Sequence, residues 1–428
     1  MRRQWVETSH LQNHYGEDIW AVDYTAFPLL DPTFPERPSR LLHLIQSSYD
    51  RIRSGDKAYC YETARLLRPV SNPITGDQSC TQDIQQFNEY LREADVYLCS
   101  AINLLPKDAQ EYIRPAREVS ECVDLRDLLH IFFKSDSPRV RFEAQRKLTL
   151  AQLLLDIEHS RHIQDGQRHK AYFEDLLTEF LWRHTRQVHE IEIGFRMSDD
   201  GESIIYTSRP GEDDQRWTFH SIFLEKSHGD RTISLDILYY NCRFKRTVAP
   251  VTFEIVDGRH RVLERLRWGA MRQQSSGSIL SKMIRKGINN PDEIADLVGA
   301  MFIVHDQDAL DDLLILLDDV IGTPFGWRNL TDTLANEQDR TTLSRHSGRG
   351  YKVFKGDVDI LVPGAHSNQE PYRFQVEIQI YPLEGYLRTV CNQHDASHLA
   401  LKLRQFLHGL VPKIFPRSIY GADWMKLE

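Results

Sequence analysis

The residues of this sequence best suited to chemistry stand in its last third, and the clearest is Glu377. It lies in Gln375-Val376-Glu377-Ile378-Gln379-Ile380, where polar and apolar residues alternate. Successive side chains of a strand point to opposite faces, so Glu377 and Gln379 share one face and Val376, Ile378 and Ile380 the other. Two polar groups on an otherwise apolar strand suggest a polar cleft in which Glu377 ligates a metal or acts as a general base. The plainer reading is a sheet with one solvated side. Asp296, in Ala295-Asp296-Leu297-Val298-Gly299, is a lone acid just before an apolar run. A carboxylate at the mouth of a sheet suits Mg²⁺, which takes oxygen ligands and substrate phosphates. A helix cap is its plainer role.

Upstream stands Arg272-Gln273-Gln274-Ser275-Ser276-Gly277-Ser278-Ile279-Leu280-Ser281-Lys282-Met283. A basic residue leads into a hydroxyl-rich turn and a helix. Free amides at that helix start, with Ser278 and Lys282, could hold a phosphate chain. A capped surface helix with a solvated lysine explains the same residues. Gly350-Tyr351 combines close backbone approach with a ring able to stack on a purine, or marks the turn into a strand with a core tyrosine.

The pattern around these residues predicts an α+β chain: a helical N-terminal region, an antiparallel β-meander, and a C-terminal mixed sheet flanked by helices. Residues 1–187 read as mostly helical, with an irregular proline-rich start and a helix from Arg40. The clearest helix follows the cap Ser137-Pro138 and carries Val140, Phe142, Ala144, Leu148, Leu153, Leu154 and Ile157. Residues 188–256 read as short strands separated by turns such as Asp199-Asp200-Gly201, a scaffold or docking sheet. In residues 257–428 helices and strands alternate. A capped helix starts at Asn290-Pro291-Asp292-Glu293, and a strand spans Met301 to Val304. Asp306 caps an amphipathic helix, strands span Lys352 to Val362 and Phe374 to Ile380, and a last helix spans His398 to Leu407.

In order and spacing, the C-terminal motifs resemble the RelA/SpoT-type alarmone synthetase domain over about Leu263 to Gln405. The motifs are Arg272-x-x-Ser275-x-x-Ser278-Ile279-x-x-Lys282-Met283, then Asp296-Leu297-Val298-Gly299, Gly350-Tyr351, and Val376-Glu377-Ile378-Gln379-Ile380. His398 and Lys402 fit that family's His and Lys placement. The resemblance implies a nucleotidyltransferase-like fold in which Mg²⁺-ATP donates pyrophosphate to the 3′-hydroxyl of a guanosine nucleotide. Other purine nucleotides or an RNA 3′ end are variants of the same chemistry. It implies Asp296 and Glu377 on the metal, with Glu377 also taking the proton of the attacking hydroxyl. Arg272, Ser278 and Lys282 would hold the ATP phosphates, Tyr351 would stack on the acceptor base, and Gln379 and His398 would complete the nucleotide site. The sequence departs from the pattern at Gln274, where the family has lysine, at Met301 (arginine), at Lys355 (histidine) and at Tyr381-Pro382 (Arg-Thr). These departures admit a degenerate nucleotide-binding or regulatory protein, or a synthetase effector restrained by its N-terminal half.

Bulk properties set the remaining expectations. At 428 residues the chain has room for two or three units, and its net charge of −9 argues against a surface that coats DNA. No apolar run reaches the roughly 18 residues of a membrane span. The start lacks a secretory pattern, so a cytoplasmic location is expected. The oligomeric state stays open, an oligomer included. The six cysteines are scattered with no C-x-x-C pair, which predicts free buried thiols rather than a zinc or redox centre. His394-Asp395 has no following Glu-Asp pair, so no alarmone hydrolase is expected. His159 and His162, with Asp156 and Glu158, read as a solvated charged turn.

Overall fold

The computed structural model describes residues 49, 51–67, 77–199, 201, 203–244, 253–256, 259–262, 276–288, 290–294, 296–321, 327–334, 352–363, 371–391, 401 and 404–421. The predicted helix from Arg40 lies outside this set except for Tyr49. By contacts the chain forms two compact units: Met1–Ser160 with Val248–Glu293 and Phe406–Glu428, and Arg161–Thr247 with Ile294–Gln405.

The first unit is mainly helical: α1 (Asp56–Leu67), α2 (Asp77–Asn103), α3 (Leu125–Lys134) and α4 (Pro138–His159), with short helical turns between α2 and α3. Asp124 caps α3 by accepting from the amides of Arg126 and Asp127, and Ser137 caps α4 through the amide of Val140, with Pro138 at its first position. Helix α4 buries more than its apolar stripe, because Glu143, Gln145, Arg146 and Lys147 are also inside. Buried charges need partners. The Lys147 ammonium donates to Asp95 Oδ2 at 2.5 Å and to the carbonyls of Val119 and Cys122. The Arg146 guanidinium donates to the Ile414 carbonyl and the Tyr420 hydroxyl, and Tyr420 in turn donates to Glu143 at 2.9 Å. A distant part of the chain, ending in the short helix Arg417–Tyr420, is thereby fixed to α4. An antiparallel pair, β5 (Phe253–Val256) and β6 (Arg259–Val262), and the helix Ser276–Lys286 also belong to this unit.

The second unit is built on a sheet of eight described strands in the order β2-β1-β3-β4-β7-β10-β9-β8. They are β1 (Thr185–Met197), β2 (Ile204–Thr207), β3 (Gln215–His228), β4 (Arg231–Phe244), β7 (Val298–Val304), β8 (Trp327–Asp332), β9 (Phe354–Val362) and β10 (Tyr372–Pro382). The strands of the predicted meander and those of the C-terminal region thus share one sheet, joined where β4 pairs with β7. The first four are not a strict meander, since β2 pairs with one edge of β1 and β3 with the other. Neighbouring strands are antiparallel except β7 and β10, which are parallel.

One face carries Phe302, Phe374, Val376, Ile378, Ile380, Val358 and Ile360, all buried. Helices α5 (Gly166–Phe180) and α6 (Gln307–Ile321) pack on the sheet, with Leu310, Leu313, Leu316 and Leu317 buried along α6. His169 of α5 stacks flat on Phe374, ring centroids 4.4 Å apart. Helix α7 (Leu383–Val390) closes an apolar cluster with Ile193, Phe195, Phe219, Ile303 and Tyr381 on the opposite face.

Several expectations need correction. Asn290-Pro291-Asp292-Glu293 makes only a 3₁₀ turn, Pro291–Glu293, because the Asn290 side chain takes the Asp292 amide at 3.1 Å and β7 begins soon after. His159 ends α4, and His162 lies in a separate short helix, Arg161–Gln164. Of the cysteines, Cys60 is disulfide-bonded and free Cys99 is exposed, while free Cys242 and Cys391 are buried as predicted. The last predicted helix falls mostly outside the described residues, and Gln405–Leu410 forms a π-helical turn.

Candidate functional site

The face of the sheet that carries Glu377 changes from apolar to polar along its strands. Tyr381 lies beside Ile303 of β7, Gln379 beside Met301, and Glu377 beside Gly299. On the other side, Gln375 faces Asp359, Glu377 faces Asp357, and Gln379 faces Lys355. One register row therefore runs Arg243, Gly299, Glu377, Asp357, Arg328 across β4, β7, β10, β9 and β8. Glycine at position 299 puts no side chain between Arg243 and Glu377.

The polar groups form an ordered chain. Tyr381 donates its hydroxyl to Gln379 Oε1 at 3.2 Å, and Gln379 donates its amide to Glu377 Oε2 at 2.6 Å. The carboxylate accepts, so the NH₂ end of the Gln379 amide points at it and the amide oxygen is left to the Tyr381 hydroxyl. The Lys355 ammonium lies 2.6 Å from Glu377 Oε1. Glu377 is only 4% exposed whereas Lys355 keeps 35%, so the acid is enclosed and its counter-ion reaches solvent. A polar group this far from water needs partners, and Gln379 and Lys355 supply donors to its two oxygens.

The two acids of β9 are similarly held. Asp359 accepts from Gln375 at 3.0 Å and pairs with Arg328 at 2.8 Å. Asp357, 7% exposed, accepts from the side-chain amide of Asn329 at 2.8 Å. Asn329 sits at a bulge in β8 with φ of +49°, the left-handed region that asparagine tolerates better than most residues. On the far face of β9, Gly356 leaves room for the Trp327 indole: a Cβ there would lie 2.7 Å from Cε3.

The residues named from sequence fall into three groups. Glu377 and Gln379 lie together on one face as the alternation predicts. Asp296 is partly buried, just before β7, three positions upstream of the glycine in register with Glu377. Ser278 and Lys282 lie in the helix Ser276–Lys286, which belongs to the first unit. That helix buries Ile279, Leu280, Met283 and Ile284, and its Ser281 hydroxyl bonds Tyr97 of α2 at 2.8 Å. Arg272, Gln274, Tyr351, His398 and Lys402 lie outside the described residues.

The described residues that depart from the expected pattern each have a defined place in the fold. Met301, in place of arginine, joins the apolar cluster under α7. Tyr381 belongs to the same cluster and bonds Gln379, while Pro382 precedes the first residue of α7. Lys355, in place of histidine, is the direct partner of Glu377. Sequence reasoning passed over Asp357 and Asp359. Two acids spaced by two in Gly356-Asp357-Val358-Asp359 were the available signal, since a buried strand seldom carries carboxylates.

Among the described residues no three His, Cys, Asp or Glu side chains are grouped to hold a metal ion. Magnesium asks for less: one or two carboxylates, with substrate phosphates and water completing its shell. Asp296 and Glu377 fit that donor set in kind. No described helix is long and apolar enough to cross a membrane.

No protein-family profile matches the chain, and no curated protein does. Similar solved structures include the small alarmone synthetase 1 of Bacillus subtilis bound to its product pppGpp. It is 20% identical, with 26% of this chain and 52% of that chain covered at a TM-score of 0.19. The small alarmone synthetase 2 of the same organism is 16% identical, with 44% and 74% covered and a TM-score of 0.24. A GTP pyrophosphokinase family protein from Streptococcus pneumoniae is 16% identical, with 41% and 68% covered and a TM-score of 0.22. The chain spans about half the length of the first of these. At such identities and scores the likeness carries no argument about chemistry.

Proposed function

We propose that the protein is a nucleotide pyrophosphokinase of the alarmone-synthetase type, acting on the polar face around Glu377. In this reading the 3′-hydroxyl oxygen of a purine nucleotide attacks the β-phosphorus of ATP. The bond between that phosphorus and the oxygen it shares with the α-phosphate breaks, AMP leaves, and Glu377 takes the hydroxyl proton. Bound Mg²⁺, held by Asp296 and Glu377, would neutralise charge on the transferring phosphates. Tyr351 stacks on the acceptor base, and Gln379 and His398 complete the nucleotide site.

The observation that carries this reading is a buried carboxylate, Glu377, oriented by Gln379 on one side and by an ammonium on the other. General-base work needs a positioned carboxylate within reach of the proton it takes, and pyrophosphoryl transfer needs cations near the phosphates. The test is incubation of the full chain with Mg²⁺ and γ-labelled ATP, with GDP, GTP, adenosine nucleotides or an RNA 3′ end in turn. AMP release with label on an acceptor is expected, and Glu377→Gln should abolish both.

The Lys355–Glu377 ion pair favours a second reading, a nucleotide-binding protein without turnover. A lysine that stays on Glu377 when nucleotide is bound would leave the acid unable to meet metal or hydroxyl. Nucleotide binding without AMP release, unchanged by Glu377→Gln, selects it.

A further inference from the structure

We infer that Lys355 is a phosphate-binding residue which in the free protein is parked on Glu377, so that an incoming polyphosphate draws it away and releases the acid. The inference rests on the reading of this face as a nucleotide site and assigns it a device for sensing the anion.

The geometry provides both ends of the exchange. The ammonium lies 2.6 Å from Glu377 Oε1, yet Lys355 is 35% exposed while Glu377 is 4% exposed. The flexible member of the pair is therefore the one that solvent and ligands can reach. A lysine has three donors and rotates freely about its stem. Moving from a carboxylate to a phosphate chain keeps it charge-paired, and a polyphosphate offers more oxygens and more negative charge than one carboxylate.

Glu377 is not left unsupported by the exchange. Its Oε2 keeps the Gln379 amide, itself fixed by Tyr381. Two arginines share this register row: Arg328, engaged with Asp359 at 2.8 Å, and Arg243, two strands away across Gly299. Lys355 is the cation whose departure would free Glu377 itself. The competition makes a specific demand. Removing the Glu377 charge must tighten anion binding, whereas removing a mere structural partner would not.

The experiment measures binding of inorganic tripolyphosphate to the full chain by titration calorimetry without added divalent metal. Wild type, Lys355→Met, Lys355→Arg, Glu377→Gln and the Lys355→Met/Glu377→Gln double variant are compared. The expected result is about tenfold weaker binding in Lys355→Met, the worth of one charge-assisted hydrogen bond. Lys355→Arg should bind close to wild type, and Glu377→Gln about fivefold tighter. The double variant, which leaves no unpaired buried charge should Lys355→Met fail to fold, should lose the gain of Glu377→Gln. Binding that is absent from wild type and Glu377→Gln alike, or that does not tighten in Glu377→Gln, overturns the assignment. Tightening in Glu377→Gln, together with a wild type that releases no AMP, would uphold Lys355 and sink only the transferase reading.

Discussion

The Lys355 ammonium and the Glu377 carboxylate meet at 2.6 Å across two neighbouring antiparallel strands, β9 and β10. They are not directly opposite each other. Lys355 faces Gln379 in register, and its long stem reaches diagonally to the acid two positions away. Gln379 serves the other oxygen of Glu377 from two positions along β10 itself, so the carboxylate meets two groups that also face each other.

Asn329 tests how the neighbouring acid, Asp357, is positioned. Its left-handed backbone aims the amide at Asp357. Asn329→Gly and Asn329→Ala both lose that bond, but only glycine accepts the backbone without cost. The alanine variant is expected to be less stable than the glycine variant by about 1 kcal/mol. Denaturant unfolding of the pair decides; equal midpoints would mean that the backbone does not hold this conformation.

Gly356 tests the packing behind the site. A methyl group there meets the Trp327 ring at 2.7 Å. The indole is also held by Phe354, ring centroids 5.2 Å apart, and by a hydrogen bond to Asp318. Gly356→Ala should cost about 1–3 kcal/mol, and Trp327→Leu in the same chain should recover part of the loss. A melting temperature unchanged by Gly356→Ala would contradict the close packing.

His169 predicts a pH dependence. Burial, with smaller contributions from His162 and Arg168 and opposed by Asp165, pushes its pKa down to about 4 from 6.5. Between those values the unfolded chain binds a proton that the folded chain does not, so stability falls as pH falls through the window. Above about 6.5 the histidine is neutral in both states and contributes nothing to the slope. His169→Phe, which keeps a ring against Phe374, should flatten the decline between pH 6.5 and 4. An unchanged slope would show that the imidazole protonates in place.

What was legible in the sequence follows the range of the interactions. Local alternation marked β10 and the shared face of Glu377 and Gln379, because a strand's period is a property of consecutive residues. The caps at Asp306 and Ser137 were legible for the same reason. The partner of Glu377 was not, since it depends on the register between β9 and β10, which local pattern does not set. Lys355 stood out only as a residue where the resemblance expects histidine. Arg146 and Lys147 carry no local signal that the polar side of α4 is buried. Their partners, the carbonyl of Ile414 and the hydroxyl of Tyr420 for one and Asp95 for the other, lie far along the chain and turn that side into core. Cys60 gave no spacing signal for its disulfide.

The most direct test of the central claim is the transfer assay with γ-labelled ATP, Mg²⁺ and a guanosine nucleotide, comparing wild type with Glu377→Gln at equal folded concentration. The account predicts AMP release matched by label on the acceptor, with a loss of at least about a hundredfold in the variant. Nucleotide binding with no AMP formed, or AMP formed equally by Glu377→Gln, would contradict it.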